Sequence, residues 1–143
     1  MIPLKFERLD KHVEAPKYET PGSSGMDIKS NELSGLFPGE FKLIATGLKV
    51  KIEEGYELQV RPRSGLASKR GLTILNTPGT IDSDYRGEIK ICLINHSKEY
   101  QIIEIGDRIA QLVLAKVERA HIYEGMVQED TTRGSGGFGS TGI

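Results

Sequence analysis

The sequence has a single cysteine, Cys92, so neither an intrachain disulfide framework nor a cysteine-rich metal site can be built from it. It has no excess charge of one sign: 19 Lys+Arg stand against 20 Asp+Glu, a formal net charge of -1. That balance argues against a polybasic surface for polymeric nucleic acid or an anionic membrane, and leaves room only for a local basic pocket. No apolar stretch approaches the roughly 20 residues of a membrane-spanning helix. The opening MIPLKFERLD lacks the long apolar region of a secretory signal. A cytoplasmic globular protein is expected. His12, His96, His121 and Cys92 show no transition-metal spacing and are read as nonligands. A helical hydrophobic pattern sustained over several turns is also missing.

What is present is one domain's length, 143 residues, with 37% hydrophobic residues and 17 glycines, many in short runs. The apolar period is mostly two, which favours a β-rich fold. Ile2, Leu4 and Phe6 alternate with polar residues, and so do Tyr56, Leu58 and Val60. Phe41, Leu43 and Ala45 share one parity while Ile44, Leu48 and Val50 share the other, so that strand is expected to change its exposed face. Ile89 to Ile94 and Ile109 to Val117 are apolar on both parities, for which a subunit interface is an economical explanation.

Turns are expected at Pro21-Gly22, Pro38-Gly39, Glu54-Gly55, Pro78-Gly79 and Glu104 to Gly106. SGLASKRG is the one good short-helix candidate, with Ser64 as its cap and Gly71 as its end. VERAHIYEG is weakly amphipathic and too short to propose as a partner helix. Asn95-His96-Ser97 is a formal glycosylation sequon without a secretory signal to support it. Gly134 to Gly139 matches GxGxxG, yet it neither follows a convincing strand nor opens a helix, so a dinucleotide fold is excluded. The expected division is a β domain over residues 1-130 and a mobile glycine-rich arm over 131-143.

Five short motifs carry more. They are SGMDI (Ser24–Ile28), PRSGLA (Pro62–Ala67), NTPGTIDSDYRGEI (Asn76–Ile89), GDRIAQLV (Gly106–Val113) and RGSGGFGSTG (Arg133–Gly142). In this order they resemble the trimeric deoxyuridine triphosphatases (dUTPases), over essentially the whole chain. Ser24 and Ile28 stand where relatives commonly have alanine and leucine. The resemblance implies an all-β, jelly-roll-like antiparallel sandwich or barrel with one short helix, assembled as a homotrimer with active sites shared between subunits. It also implies hydrolysis of dUTP to dUMP and pyrophosphate with Mg2+.

Each motif has its own chemistry. The Asp82 carboxylate can take a proton from water and align it for attack, and the resemblance makes it the general base; alone, it reads as an aspartate in a tight turn. Gly79 and Ile81 shape the segment before it. By resemblance Tyr85 packs beneath the deoxyribose, where its ring fills the volume a ribose 2'-hydroxyl would need. The Asn76 amide can donate and accept as a uracil edge requires, or can cap the turn. Asp84 is read as a structural pair with Arg86, and Asp107-Arg108 as a turn and ion pair.

Ser64 and Gly65, at a helix start with free backbone donors, suit a phosphate. Arg63 either binds phosphate or braces a subunit contact. Gln111 can donate its amide to a phosphate oxygen, as the family's glutamine does. Asp27 is the carboxylate that the resemblance sets near magnesium, through water. In the arm, Phe138 is expected to stack on uracil and Arg133 to clamp the distal phosphates, with Gly139 and Ser140 beside them. Cys92 is expected to be buried and inert. Two other readings stay open: a dCTP deaminase or bifunctional deaminase/dUTPase of the same fold, and a catalytically silent nucleotide-binding homotrimer.

Overall fold

The computed structural model describes residues 1-140. Residues 141-143, the last of the expected arm, lie outside the described residues. Along the chain run β1 (Leu4–Arg8), β2 (Met26–Lys29), β3 (Ser34–Leu36), β4 (Phe41–Ile52) and β5 (Tyr56–Arg61). They are followed by α1 (Ser64–Arg70), β6 (Leu72–Ile74), β7 (Gly79–Ile81), β8 (Glu88–Asn95), β9 (Gln101–Ile103) and β10 (Arg108–Lys116). All pairings are antiparallel. One sheet has the order β1-β4-β8-β6, a second β2-β10-β5-β7, and β3 pairs with β9 as a ribbon. Neighbours such as β2 and β10 are far apart in sequence, so the sandwich is closed by long connections, as a jelly roll is.

The core lies between the two sheets. Ile44, Leu72, Ile91 and Leu93 face it from the first sheet, and Ile28, Leu58, Ile109 and Leu112 from the second, all fully or almost fully buried. Each such aliphatic side chain contributes about 1.5–3 kcal/mol on burial. Among the described residues, no helix is long and apolar enough to cross a membrane.

Several local expectations change. β4 does not switch faces: Ile44, Thr46, Leu48, Val50 and Ile52 are all buried, so one parity points inward throughout. The opposite parity leaves Phe41 58% and Leu43 63% exposed on the outside of the sheet. β8 sets Cys92 beside Leu43 on that same outer face, and the thiol is half-buried rather than enclosed. β10 buries Ile109, Ala110 and Leu112 but leaves Val113, Leu114 and Ala115 partly open. β1 begins at Leu4, and Phe6 stays exposed. VERAHIYEG forms no regular structure. The Asn95 side chain is fully buried, and its amide donates to the carbonyls of Leu36 and Glu99. The sequon is therefore a structural knot, with no free nitrogen for a glycan.

Gly71 ends α1 as expected, with φ of 62° and its N–H on the Ala67 carbonyl. The start of the helix differs. Arg63 holds the capping position without a side-chain bond, and Ser64 is the first helical residue. Its hydroxyl makes none of the hydrogen bonds among the described residues, because it lies one residue too far along to reach the free N–H groups as a cap does.

Candidate active site

The residues singled out in the sequence fall into three groups on the folded chain. The first surrounds a cavity of about 340 Å³ lined by Asn76, Gly79, Ile81, Asp82 and Tyr85. β7 builds it. Gly79 pairs with Val60 and Ile81 with Leu58, which anchors the segment on β5 and leaves Asp82 exposed just past the strand end. A Cβ on Gly79 would come within 3.1 Å of Val60 Cβ, so a side chain there would push the segment off its neighbour. The Thr77-Pro78 bond is cis. After Asp82 the chain turns at once: Tyr85 N–H donates to the Asp82 carbonyl at 3.1 Å. The Tyr85 ring is 44% exposed and packs over Gly87, where any Cβ would lie 2.3 Å from its hydroxyl. Leu43, Glu88, Lys90 and Cys92 also line this cavity. Sequence reading did not place them there, since only the β4–β8 register brings them to it.

The second group lies where β2, β10 and β5 end together. Arg63 Nε donates to Asp27 Oδ1 at 2.9 Å, and Arg108 Nη1 approaches Asp27 Oδ2 at 3.4 Å. Gln111 pairs with Asp27 across the ladder, and its Nε2 donates to the Pro62 carbonyl at 3.0 Å. Gly25 leaves room for the Gln111 side chain, since a Cβ there would meet Gln111 Oε1 at 2.5 Å. The group also contains Ser64 and Gly65, both exposed at the start of α1. None of these residues lines the cavity.

The two expected ion pairs are not made. Arg86 donates instead to the carbonyls of Ser83 and Tyr85, bracing the turn after Asp82. Asp107 meets Arg70 at 3.6 Å and accepts the Glu104 N–H, while Arg108 turns to Asp27. Asp107 lies in the turn before β10, held by its bonds to Glu104, whereas Arg108 is the first residue of the strand, so the two side chains diverge. Arg108 is a site neighbour that motif reading left in a structural role; its charge beside Gln111 was the available signal.

The third group is the arm. Its hydrogen bonds among the described residues are internal: Arg133 Nε to the Gly136 carbonyl at 2.8 Å, Gly136 N–H to the Arg133 carbonyl, and Ser140 N–H to the Gly137 carbonyl. Phe138 is fully exposed, with φ of 48°, in the left-handed region that a non-glycine residue seldom adopts. Gly139 follows it with φ of 87°. Neither Arg133 nor Phe138 meets the cavity or the Asp27 group of its own chain.

No cluster of three or more His, Cys, Asp and Glu side chains suited to a metal exists among the described residues. Asp27 is a single carboxylate, 14% exposed, with an arginine on each oxygen. That donor set cannot cage an ion unaided. It fits a magnesium ion that brings its own oxygen ligands and waters, because magnesium is commonly held by one or two carboxylates plus phosphates.

A cavity with an amide and a carboxylate in its lining, together with a separate group of guanidinium and helix-start donors, suits a nucleotide and its phosphates. This is the make-up of a nucleotide hydrolase. The dUTPase family model matches residues 11–142. The chain is 57% identical to the deoxyuridine 5'-triphosphate nucleotidohydrolase of Nautilia profundicola, over 97% of this chain and 98% of that one. Its structure is similar to that of a dUTPase of Staphylococcus bacteriophage 80alpha solved with dUpNHpp, with a TM-score of 0.86, 30% identity and 99% of each chain covered. The dUTPase of phage phi11 of S. aureus, whose structure was described for its coordination of a structural Mg(II) ion, gives a TM-score of 0.82 at 26% identity, covering 90% of this chain and 99% of that one. The chain belongs to the dUTPase family and is a hydrolase of that family.

Proposed function

We propose that this chain hydrolyses dUTP to dUMP and pyrophosphate, with water attacking the α phosphorus, at a site completed by three copies of the chain. The observation that carries the reading is the separation just described. The cavity, the Asp27–Arg63 group and the arm each hold part of one nucleotide's contacts, yet on one chain they stay apart. A homotrimer that juxtaposes them across subunit boundaries resolves this. The outer apolar face at Phe41 and Leu43 and the half-open Val113 and Leu114 support such an assembly.

In this reading Asn76 reads the uracil edge, with Gly79 and Ile81 shaping the pocket, while Tyr85 lies beneath the deoxyribose and excludes a 2'-hydroxyl. Arg63, Ser64, Gly65 and Gln111 hold phosphate oxygens. Asp82 orients a water and takes its proton as the new oxygen–phosphorus bond forms; the bond from the α phosphorus to the bridging oxygen breaks, and pyrophosphate leaves. Arg133 supports the charge that moves toward the leaving group, Phe138 stacks on the base, and Gly139 and Ser140 complete the cover. Magnesium, when bound with the triphosphate near Asp27, supplies charge neutralisation of the phosphate oxygens. Residues 1-130 form the scaffold and residues 131-143 the arm. A cytoplasmic setting belongs to the same reading, supported by the lone, unpaired Cys92.

Pyrophosphate release measured across dUTP, dTTP, dCTP and UTP tests it. Release from dUTP alone is expected. Ammonia from dCTP would establish a deaminase instead, and no release from any of the four would leave a nucleotide-binding trimer without turnover.

A further inference from the structure

Opposite the start of β8, β4 carries two extra residues. Ala45 pairs with Lys90 and Lys49 with Glu88, so four steps along β4 match two along β8. Gly47 sits in this bulge with φ of 67°, and a Cβ there would lie 2.5 Å from Val13 Cγ2 and 2.9 Å from Asn31 Nδ2. The bulge is therefore closely packed against Val13 and Asn31. Its buried polar groups are satisfied by side chains. Thr46 Oγ1 donates to the Ile89 carbonyl at 2.6 Å, and Gly47 N–H donates to Glu88 Oε1 at 2.9 Å. A buried N–H without that acceptor would be costly.

The same Glu88 faces the site through its backbone. Its carbonyl accepts the Tyr85 hydroxyl at 2.8 Å, and the tyrosine ring lies over Gly87 in between. One residue thus joins a closely packed bulge in β4 to the hydroxyl end of the ring that walls the cavity. We propose that Glu88 is a positioning residue that locks the Tyr85 platform, and through it sets how strongly a 2'-hydroxyl is rejected. This rests on the sugar-reading role of Tyr85 given above. Steric exclusion works only while the ring cannot swing aside; a free ring concedes the volume it was meant to deny.

The test compares kcat/KM for dUTP and UTP in four variants of the full chain. Glu88→Ala removes the Gly47 acceptor and is expected to narrow the preference for dUTP by about fivefold, the worth of one ordinary hydrogen bond. Glu88→Gln keeps an oxygen at that position and is expected to keep the wild-type ratio. Tyr85→Phe keeps the ring but loses its tether, so it should narrow the ratio as Glu88→Ala does, even if Glu88→Ala fails to fold. Ile103→Val, a core truncation on the β3-β9 ribbon, should lower the melting temperature and leave the ratio alone.

An unchanged ratio in a folded Glu88→Ala protein, or in Tyr85→Phe, would overturn the proposal. Narrowing by Glu88→Gln or Ile103→Val equal to that of Glu88→Ala would also overturn it, by reducing the effect to general stability. Wild-type chain that releases no pyrophosphate from dUTP would remove the hydrolase reading itself. Normal wild-type release with insensitive variants removes only the role of Glu88.

Discussion

Arg63 Nε lies 2.9 Å from Asp27 Oδ1, joining residues 36 positions apart where β2 enters its sheet and α1 begins. The pair couples the carboxylate proposed to lie near magnesium to the guanidinium beside the helix start proposed to hold phosphate. Each side chain holds the other in place.

Asp27→Ala should therefore act on both stability and binding. The side chains are 25% and 14% exposed, which reduces the worth of a charged hydrogen bond to about 1 kcal/mol. Urea denaturation should show a loss of that order. Steady-state kinetics should show a raised KM for dUTP, because Arg63 and Arg108 lose their common anchor. An unchanged KM would detach this pair from the substrate.

Ser64→Ala separates capping from ligand binding. Losing a true N-cap costs about 1 kcal/mol, whereas this hydroxyl has no bond to the helix. Thermal unfolding should move by less than about 0.5 kcal/mol, as for ordinary surface changes. kcat/KM for dUTP should still fall. A large loss of stability would restore the capping role.

Asp82→Asn keeps the size of the side chain and removes its basicity. Positioned acid–base groups contribute roughly 10²–10⁴-fold, and a fall in kcat of that order is expected with nucleotide binding largely kept. In water enriched with oxygen-18, one turnover of the wild-type chain should place the label in dUMP. Label in pyrophosphate would mean attack on another phosphorus.

Chelation should stop turnover and leave the fold intact. Among the described residues nothing resembles a metal cage, so EDTA should not shift the melting temperature while it removes dUTP hydrolysis. A marked drop in melting temperature would reveal an ion that belongs to the protein rather than to the substrate.

The β architecture and the helix end at Gly71 were legible because period-two patterning and a left-handed glycine are local signals. Asp82, Tyr85 and Asn76 could be singled out together because one contiguous motif carries them, and the fold sets all three on one cavity. What sequence could not reveal depends on register. The two-residue bulge at Gly47 leaves the parity of β4 unchanged, so one face stays buried although apolar residues of that strand occupy both parities. Glu88 gained its place from that bulge, and Cys92 from its pairing with Leu43. Ion pairing was misread for the same reason. Neighbours in sequence, Asp107 and Arg108 part where the turn gives way to β10, and Arg108 meets Asp27 of the adjacent strand instead.

The central claim is that one site takes Asp82 from one chain and the arm from another. Deleting residues 132-143 should leave the sandwich folded, since no described arm residue belongs to the core, and should abolish most activity by removing Arg133 and Phe138. The decisive measurement mixes this truncated chain with full-length Asp82→Asn chain, after dissociation and reassembly, and follows pyrophosphate release from dUTP. Mixed trimers should hydrolyse dUTP well above either parent alone, because some sites then combine an intact Asp82 with a complete arm. Mixed trimers confirmed by mass, with no recovery of hydrolysis, would contradict a site shared between subunits.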